Sequence, residues 1–258
     1  MTFALDEPGE FDTRRNWPAH ARLVSTRALR TAQTAIADAV ERRCMTCLHG
    51  DAGVGKTLSA TSTLRTTARE QMIWPRFPVP RPTPRNLRQE LFRALPLRGP
   101  MPYQPSAIES LLHEALARRR YVLVFDDVQY LNTDCLHLIR RLWDVGDRRP
   151  AVVFIGDQRG YEKLRRELAA RMYAWNRIDP LRADEVRTAM PAYHRAWANV
   201  PSTLIDKADA HGPHGRMRSW VQLTKKCLQG MQRFGKDRID EPLLDWALLS
   251  TFGLPREH

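Results

Sequence analysis

Residues 47–57 read CLHGDAGVGKT, and the way this stretch is read decides the fold. Gly50, four spacers and Gly55-Lys56-Thr57 match the phosphate-binding loop pattern. Glycines let the backbone curl until successive N–H groups point inward at phosphate oxygens. Lys56 brings an ammonium to the β- and γ-phosphates, and the Thr57 hydroxyl is a ligand for Mg²⁺. The stretch that would hold the nucleotide is therefore Gly50, Asp51, Ala52, Gly53, Val54, Gly55, Lys56 and Thr57. Such a loop needs an apolar strand before it and a helix after it. CMTCL (Cys44–Leu48) supplies the strand, and TLSATSTLRTTARE (57–70) supplies a helix with no Pro or Gly to stop it.

Downstream, strand and helix signals alternate, as a parallel sheet with crossovers requires. MIWPRFPV (72–79) reads as a second strand, followed by a proline-rich connection and a helix at NLRQELFRAL (86–95). SAIESLLHEALARRR (106–120) reads as an amphipathic helix, with Ser106 at the N-cap and Glu109 completing a capping box. YVLVFDDVQYL (121–131) is a continuous apolar run ending in acid, the pattern of a central strand that opens onto a site. Asp126 is placed to hold the Mg²⁺ shell, and Asp127 to orient or deprotonate an attacking water. A further strand, AVVFIG (Ala151–Gly156), ends in Asp157, a polar group expected between the two acids and the γ-phosphate. GYEKLRRELAARMYAW (160–175) reads as one helix, and from Leu181 onward only helices are expected.

The bulk numbers set bounds. A chain of 258 residues with 43% hydrophobic content can bury one good core and a small appended subdomain. No apolar run approaches a membrane span, and MTFALDEPGEF lacks a basic-then-apolar leader, so a cytoplasmic protein is expected. Four cysteines make no disulfide framework; Cys44-x-x-Cys47 reads as small buried hydrophobes inside a strand. His211-Gly-Pro-His214 reads as a turn, because no other ligand cluster accompanies it.

Net charge is +12, and only six of the 41 basic residues are lysines. The bias has two readings: the composition of the source genome, or a phosphate-rich partner attracted at long range. Clustering favours the second. Between Asp209 and Asp237 there is no acidic residue while six are basic, and Arg81 to Arg98 carries five arginines against one glutamate.

The phosphate loop GDAGVGKT, the acid strand VLVFDD, the strand VVFIGD, PLRADEV opening a helical segment and a late HGRMRSW come in the order of the AAA+ ATPases. The resemblance runs from about Arg22 to Gln232, and within it the chain is most similar to transposition regulators of the TnsC, TniB and MuB kind. It implies an α/β AAA+ P-loop fold, a central parallel sheet flanked by helices and followed by a small C-terminal helical lid. Its implied segments are an extension over 1–21, a nucleotide-binding core over 22–180 and the lid and tail over 181–258. It implies ATP and Mg²⁺ as ligands, with Asp157 as the polar sensor and Gly215 and Arg218 as the lid's sensor motif. Arg171, or next Arg177, would be the finger offered to a neighbour's nucleotide.

The resemblance also implies a homo-oligomeric ring or helical filament on double-stranded DNA, bound without reading sequence. It further implies a nucleoid-associated protein that recruits a transposase or integrase. Arg85, Arg88, Arg93, Lys225 and Lys226 are the DNA-contact candidates. Two departures from the family pattern point to slow hydrolysis. Asp127 stands where a glutamate is usual, shortening the water-orienting side chain, and Asp157 adds a third carboxylate that needs a compensating Mg²⁺ or arginine. A helicase loader or initiator-like ATPase and a signalling switch with a protein partner are the alternatives. A GTPase is disfavoured by the lack of an Asn-Lys-x-Asp motif.

Overall fold

In the computed structural model, which describes residues 17–68, 71–77, 79–145 and 148–253, five strands form one parallel sheet. They are β1 (Met45–His49), β2 (Met72–Ile73), β3 (Val122–Phe125), β4 (Ala151–Gly156) and β5 (Met172–Arg177), in the order β2-β3-β4-β1-β5. Every residue of β1, β3 and β4 is buried; β3 and β4 are accordingly continuous apolar runs, while β1 also buries the polar Thr46 and His49. The registers place Met45 beside Val152, His49 beside Gly156 and Phe125 beside Phe154.

The helices are α1 (Arg27–Arg42), α2 (Lys56–Thr67), α3 (Pro84–Ala94), α4 (Pro105–Arg118), α5 (Thr133–Asp144) and α6 (Gln158–Leu168). Four more follow: α7 (Ala183–Tyr193), α8 (Ser202–His211), α9 (Met217–Phe234) and α10 (Glu241–Phe252). The chain divides into two compact units. One comprises Thr31–Gly50 and Ser62–Arg177; the other comprises Asp51–Thr61 with the described parts of Met1–Arg30 and Ile178–His258.

The first unit holds the sheet. Leu87 and Leu91 of α3, Leu112 of α4 and Ile139 of α5 pack with Leu123, Phe125 and Phe154 of the strands in one apolar cluster. Arg88 of α3 and Arg141 of α5 both reach Glu109 of α4, at 2.8 and 3.3 Å, tying three helices together. In the second unit Trp197 and Trp220 meet edge to face at 5.1 Å in a core of α7 to α10. The Trp197 indole donates to the Thr224 hydroxyl at 2.9 Å, so the buried N–H is satisfied.

The structure corrects four expectations. The second strand is two residues long, because Pro75 has no N–H to continue the ladder. α4 starts one residue early, with Pro105 in its first turn and Gln104 as an N-cap without a side-chain bond. Ser106 therefore caps nothing, and Glu109 serves Arg88 and Arg141 instead. The helix expected over 160–175 ends at Leu168, and after a 3₁₀ turn (Ala169–Arg171) the chain becomes β5. Strand β1 runs from Met45 to His49, one residue later than CMTCL; Cys47 is buried within it and Cys44 is half-buried before it. The far end of the 57–70 helix, Arg69 and Glu70, lies outside the described residues.

Candidate active site

The loop after β1 takes the backbone shape its glycines permit. Gly50, Gly53 and Gly55 have φ of 148°, 84° and 103°, where side chains other than glycine are strained. Asp51 and Ala52 are exposed and Val54 is buried. Lys56 opens α2, and its ammonium donates to the Asp51 carbonyl at 2.7 Å. Thr57 follows in the same first turn, and among the described residues its hydroxyl makes no hydrogen bond.

The segment expected to carry the sensor motif sits on this loop. The Arg218 N–H donates to the Gly53 carbonyl at 3.0 Å, and the Arg216 guanidinium meets the Asp51 carboxylate at 3.3 Å. A Cβ on Gly53 would lie 3.1 Å from Arg218 Cβ, so the approach is close. Gly215 makes the turn possible. Its φ is 70°, and any side chain there would meet the Leu181 carbonyl at 2.2 Å. The Asp209 carboxylate accepts from both the Gly215 N–H (2.7 Å) and the Trp220 indole (3.0 Å), fixing the entry to α9.

Beside the loop the same unit encloses an apolar cavity of about 20 Å³ between Val54 and Leu58, Leu23 and Leu29, and Met190 and Met217. This is water-sized, and its walls include the flexible thioether side chains of Met190 and Met217. Sequence reading missed this cavity, because its walls are ordinary apolar residues drawn from separate stretches of the chain.

In the sheet unit the C-terminal ends of the parallel strands share one edge. There β1 ends at His49, β3 at Phe125 and β4 at Gly156. Asp126 and Asp127 follow β3 directly. Asp127 adopts a left-handed backbone (φ 52°, ψ 44°), and its N–H donates to the Asp126 carboxylate at 2.9 Å. Asp157 caps α6, accepting the Gly160 N–H at 2.9 Å, and pairs with Arg159 at 3.0 and 3.1 Å. Burial pushes the Asp157 carboxyl up, but the Gly160 N–H and Arg159 outweigh it and hold the group below its ordinary 3.8. Arg159, which sequence reading did not single out, is the arginine that pairs with Asp157.

The remaining candidates are scattered. Arg171 ends the 3₁₀ turn before β5 and forks onto Asp144 at 2.8 and 3.4 Å. It stands at the opposite edge of the sheet from Asp126, whereas Arg177, beside His49, ends β5 at the same edge. Of the DNA-contact candidates, Arg85 and Lys225 are exposed and in no ion pair among the described residues. Arg88 pairs with Glu109 at 2.8 Å, with its side chain 14% exposed. Arg93 pairs with Glu90, and Lys226 lies 4.9 Å from the Trp246 ring centre.

Comparison with known proteins agrees with this architecture. Residues 40–164 match the family described as AAA domain. ORC2 of Aeropyrum pernix, solved in ADPNP–ADP complexes, superposes with a TM-score of 0.65 at 15% identity, covering 94% of this chain and 71% of that one. RuvB of Thermotoga maritima, a Holliday junction branch migration motor, gives 0.59 at 16% identity, covering 89% and 71%. No curated protein matches in sequence. With a phosphate loop after β1, paired acids after β3, a five-stranded parallel sheet and C-terminal helices, the chain has the AAA+ P-loop fold.

Proposed function

We propose that this chain is a Mg²⁺-dependent ATPase that assembles copies of itself on duplex DNA in its triphosphate state, engages a transposase or integrase, and is reset by slow hydrolysis. The observation that carries the reading is the Arg218 N–H on the Gly53 carbonyl, with Arg216 on Asp51. Phosphates drawn to this loop would be felt at once by the start of α9, as a nucleotide switch needs. Lys56 takes the β- and γ-phosphates, and Asp127 orients the water. The Thr57 hydroxyl and the Asp126 carboxylate are hard oxygen donors of the kind that suit Mg²⁺, which supplies charge neutralisation on the phosphates when bound. Arg218 reads the γ-phosphate, Asp157 senses it through the β4 tip, and Arg171 is the finger for a neighbour. Arg85 and Lys225 are the strongest of the DNA contacts.

The transposition part rests on the sequence resemblance from the proline-rich connection through the acid strand. A second reading, an initiator or helicase loader, is favoured by the likeness to ORC2 over 94% of the chain. In both cases the protein works in the cytoplasm on the nucleoid. Fluorescence anisotropy with random-sequence duplex DNA, across salt concentrations and with ATP, a non-hydrolysable analogue, ADP or no nucleotide, tests the reading. Binding is expected only in the triphosphate states, with log K falling by about 0.9 per log salt for each phosphate contacted. Binding that ignores nucleotide, or vanishes at physiological salt, would sink it and move the signalling and loader readings ahead. Stimulation of strand transfer by a transposase, against loading of a helicase, separates the first two readings.

A further inference from the structure

The turn after the paired acids contains a residue that no motif predicts. The Gln129 amide nitrogen donates to Asp127 Oδ1 at 3.0 Å, while its amide oxygen accepts the Asp157 N–H at 3.4 Å. A backbone N–H only donates and a carboxylate only accepts, so these two partners fix which way the amide points. Among the described residues Asp127 Oδ2 takes no hydrogen bond, so one carboxylate oxygen is held and the other is left to meet a water.

The turn itself is tightly seated. Lys163 donates to the carbonyls of Gln129 and Leu131, both at 2.8 Å. Gly156 and Gly160 make room for it: a Cβ on either would lie 2.6 or 2.8 Å from a Val128 methyl, and one on Gly160 would also lie 3.2 Å from the Gln129 nitrogen. Gln129 is thus a rigid bridge between the second acid after β3 and the tip of β4.

We propose that Gln129 is a positioning residue for hydrolysis: it fixes the torsion of the short Asp127 carboxylate and couples it to the β4 tip. A shorter acid reaches less far, so holding it in one orientation recovers part of what the missing methylene loses. The proposal rests on the ATPase reading, with Asp127 orienting the water.

The test compares wild type with Gln129→Leu and Gln129→Glu in steady-state phosphate release, fluorescent-ATP titration and thermal melting. Gln129→Leu is expected to lower kcat at least about tenfold while the nucleotide Kd stays within about twofold. Gln129→Glu keeps the size but removes the N–H that Asp127 accepts, so kcat should fall likewise with Kd unchanged. In an Asp127→Asn background Gln129→Leu should cost little further kcat, because the residue acts through Asp127. A residue that only holds the fold would lower the melting point and cost the same factor in kcat in both backgrounds. Unchanged or raised kcat in Gln129→Leu, or an equal loss in the Asp127→Asn background, overturns the proposal. Should Gln129→Leu not fold, Gln129→Glu is carried through the same pair of backgrounds and decides alone. Wild-type protein that binds no ATP or releases no phosphate overturns the ATPase reading itself, and Gln129's role with it.

Discussion

Asp127 is exposed, held in a left-handed backbone and tethered on one oxygen, which is the geometry of a group kept for chemistry instead of packing. On the proposed role, in which the group acts on the water and not on the phosphates, removing its charge with Asp127→Asn should lower kcat by about 10²-fold or more while leaving ATP affinity within about twofold. Asp127→Glu restores the missing methylene but must find the Gln129 amide again. If reach is what limits the wild type, kcat rises; a fall shows that the tether matters more than length. Steady-state phosphate release at saturating ATP reads both. The phosphate loop was legible in the sequence because its backbone shape demands glycine and its chemistry demands lysine and a hydroxyl. Gln129 and Arg159 were not, because an amide or a guanidinium gains such a role only from which carboxylate the fold brings beside it.

Among the elements, the strands β3 and β4 could be read because burial on both faces forces continuous apolar runs, and β1 because the phosphate loop needs a strand before it. β5 could not. Leu164, Leu168, Met172 and Trp175 keep helical spacing across the true helix end, and only pairing with β1 makes the second half a strand. There the Asn176 amide donates to the Thr46 hydroxyl at 2.9 Å, a contact 130 positions apart that no local pattern announces. The same holds for the tie among α3, α4 and α5. Burial pushes the Glu109 carboxyl up, yet the bonds from Arg88 and Arg141 prevail and hold it below its ordinary 4.5. A carboxyl lowered by folding stabilises fully above its unfolded pKa, and that stability is lost as pH falls through the folded value. Glu109→Gln should therefore lower Tm at pH 7 by about 3 °C, the equivalent of about 1 kcal/mol in a chain this long. The gap between wild type and variant should close between about pH 5 and pH 3. A gap that stays constant with pH would show that Glu109 acts by packing alone.

For the whole molecule the charge excess of +12 is the property the fold has to place somewhere. Several candidates are already committed: Arg88 to Glu109, Arg93 to Glu90 and Lys226 to the Trp246 face. Arg85 and Lys225 keep their charge for solvent or a partner, so Arg85→Glu and Lys225→Glu should each weaken triphosphate-dependent DNA binding and reduce the salt slope by about 1. Arg88→Gln should leave the slope unchanged and lower Tm instead.

Assembly makes a sharper demand. A finger that serves a neighbour contributes nothing to an isolated subunit, so phosphate release per protomer should rise with protein concentration and level off once subunits are stacked. Arg171 forks onto Asp144, so as the proposed finger it must exchange that carboxylate for a neighbour's phosphate. On that proposal Arg171→Ala should flatten the concentration dependence and lower the plateau by about 10³-fold, the scale of an arginine finger supplied in trans, without loosening ATP binding. Mixing it with a Lys56→Ala variant, which keeps Arg171 but loses its own phosphate contact, should restore turnover at the mixed interfaces. If Arg171→Ala behaves as wild type while Arg177→Ala loses the concentration dependence, the finger belongs to the end of β5. If neither does, hydrolysis is completed within one subunit and the proposed trans finger is excluded.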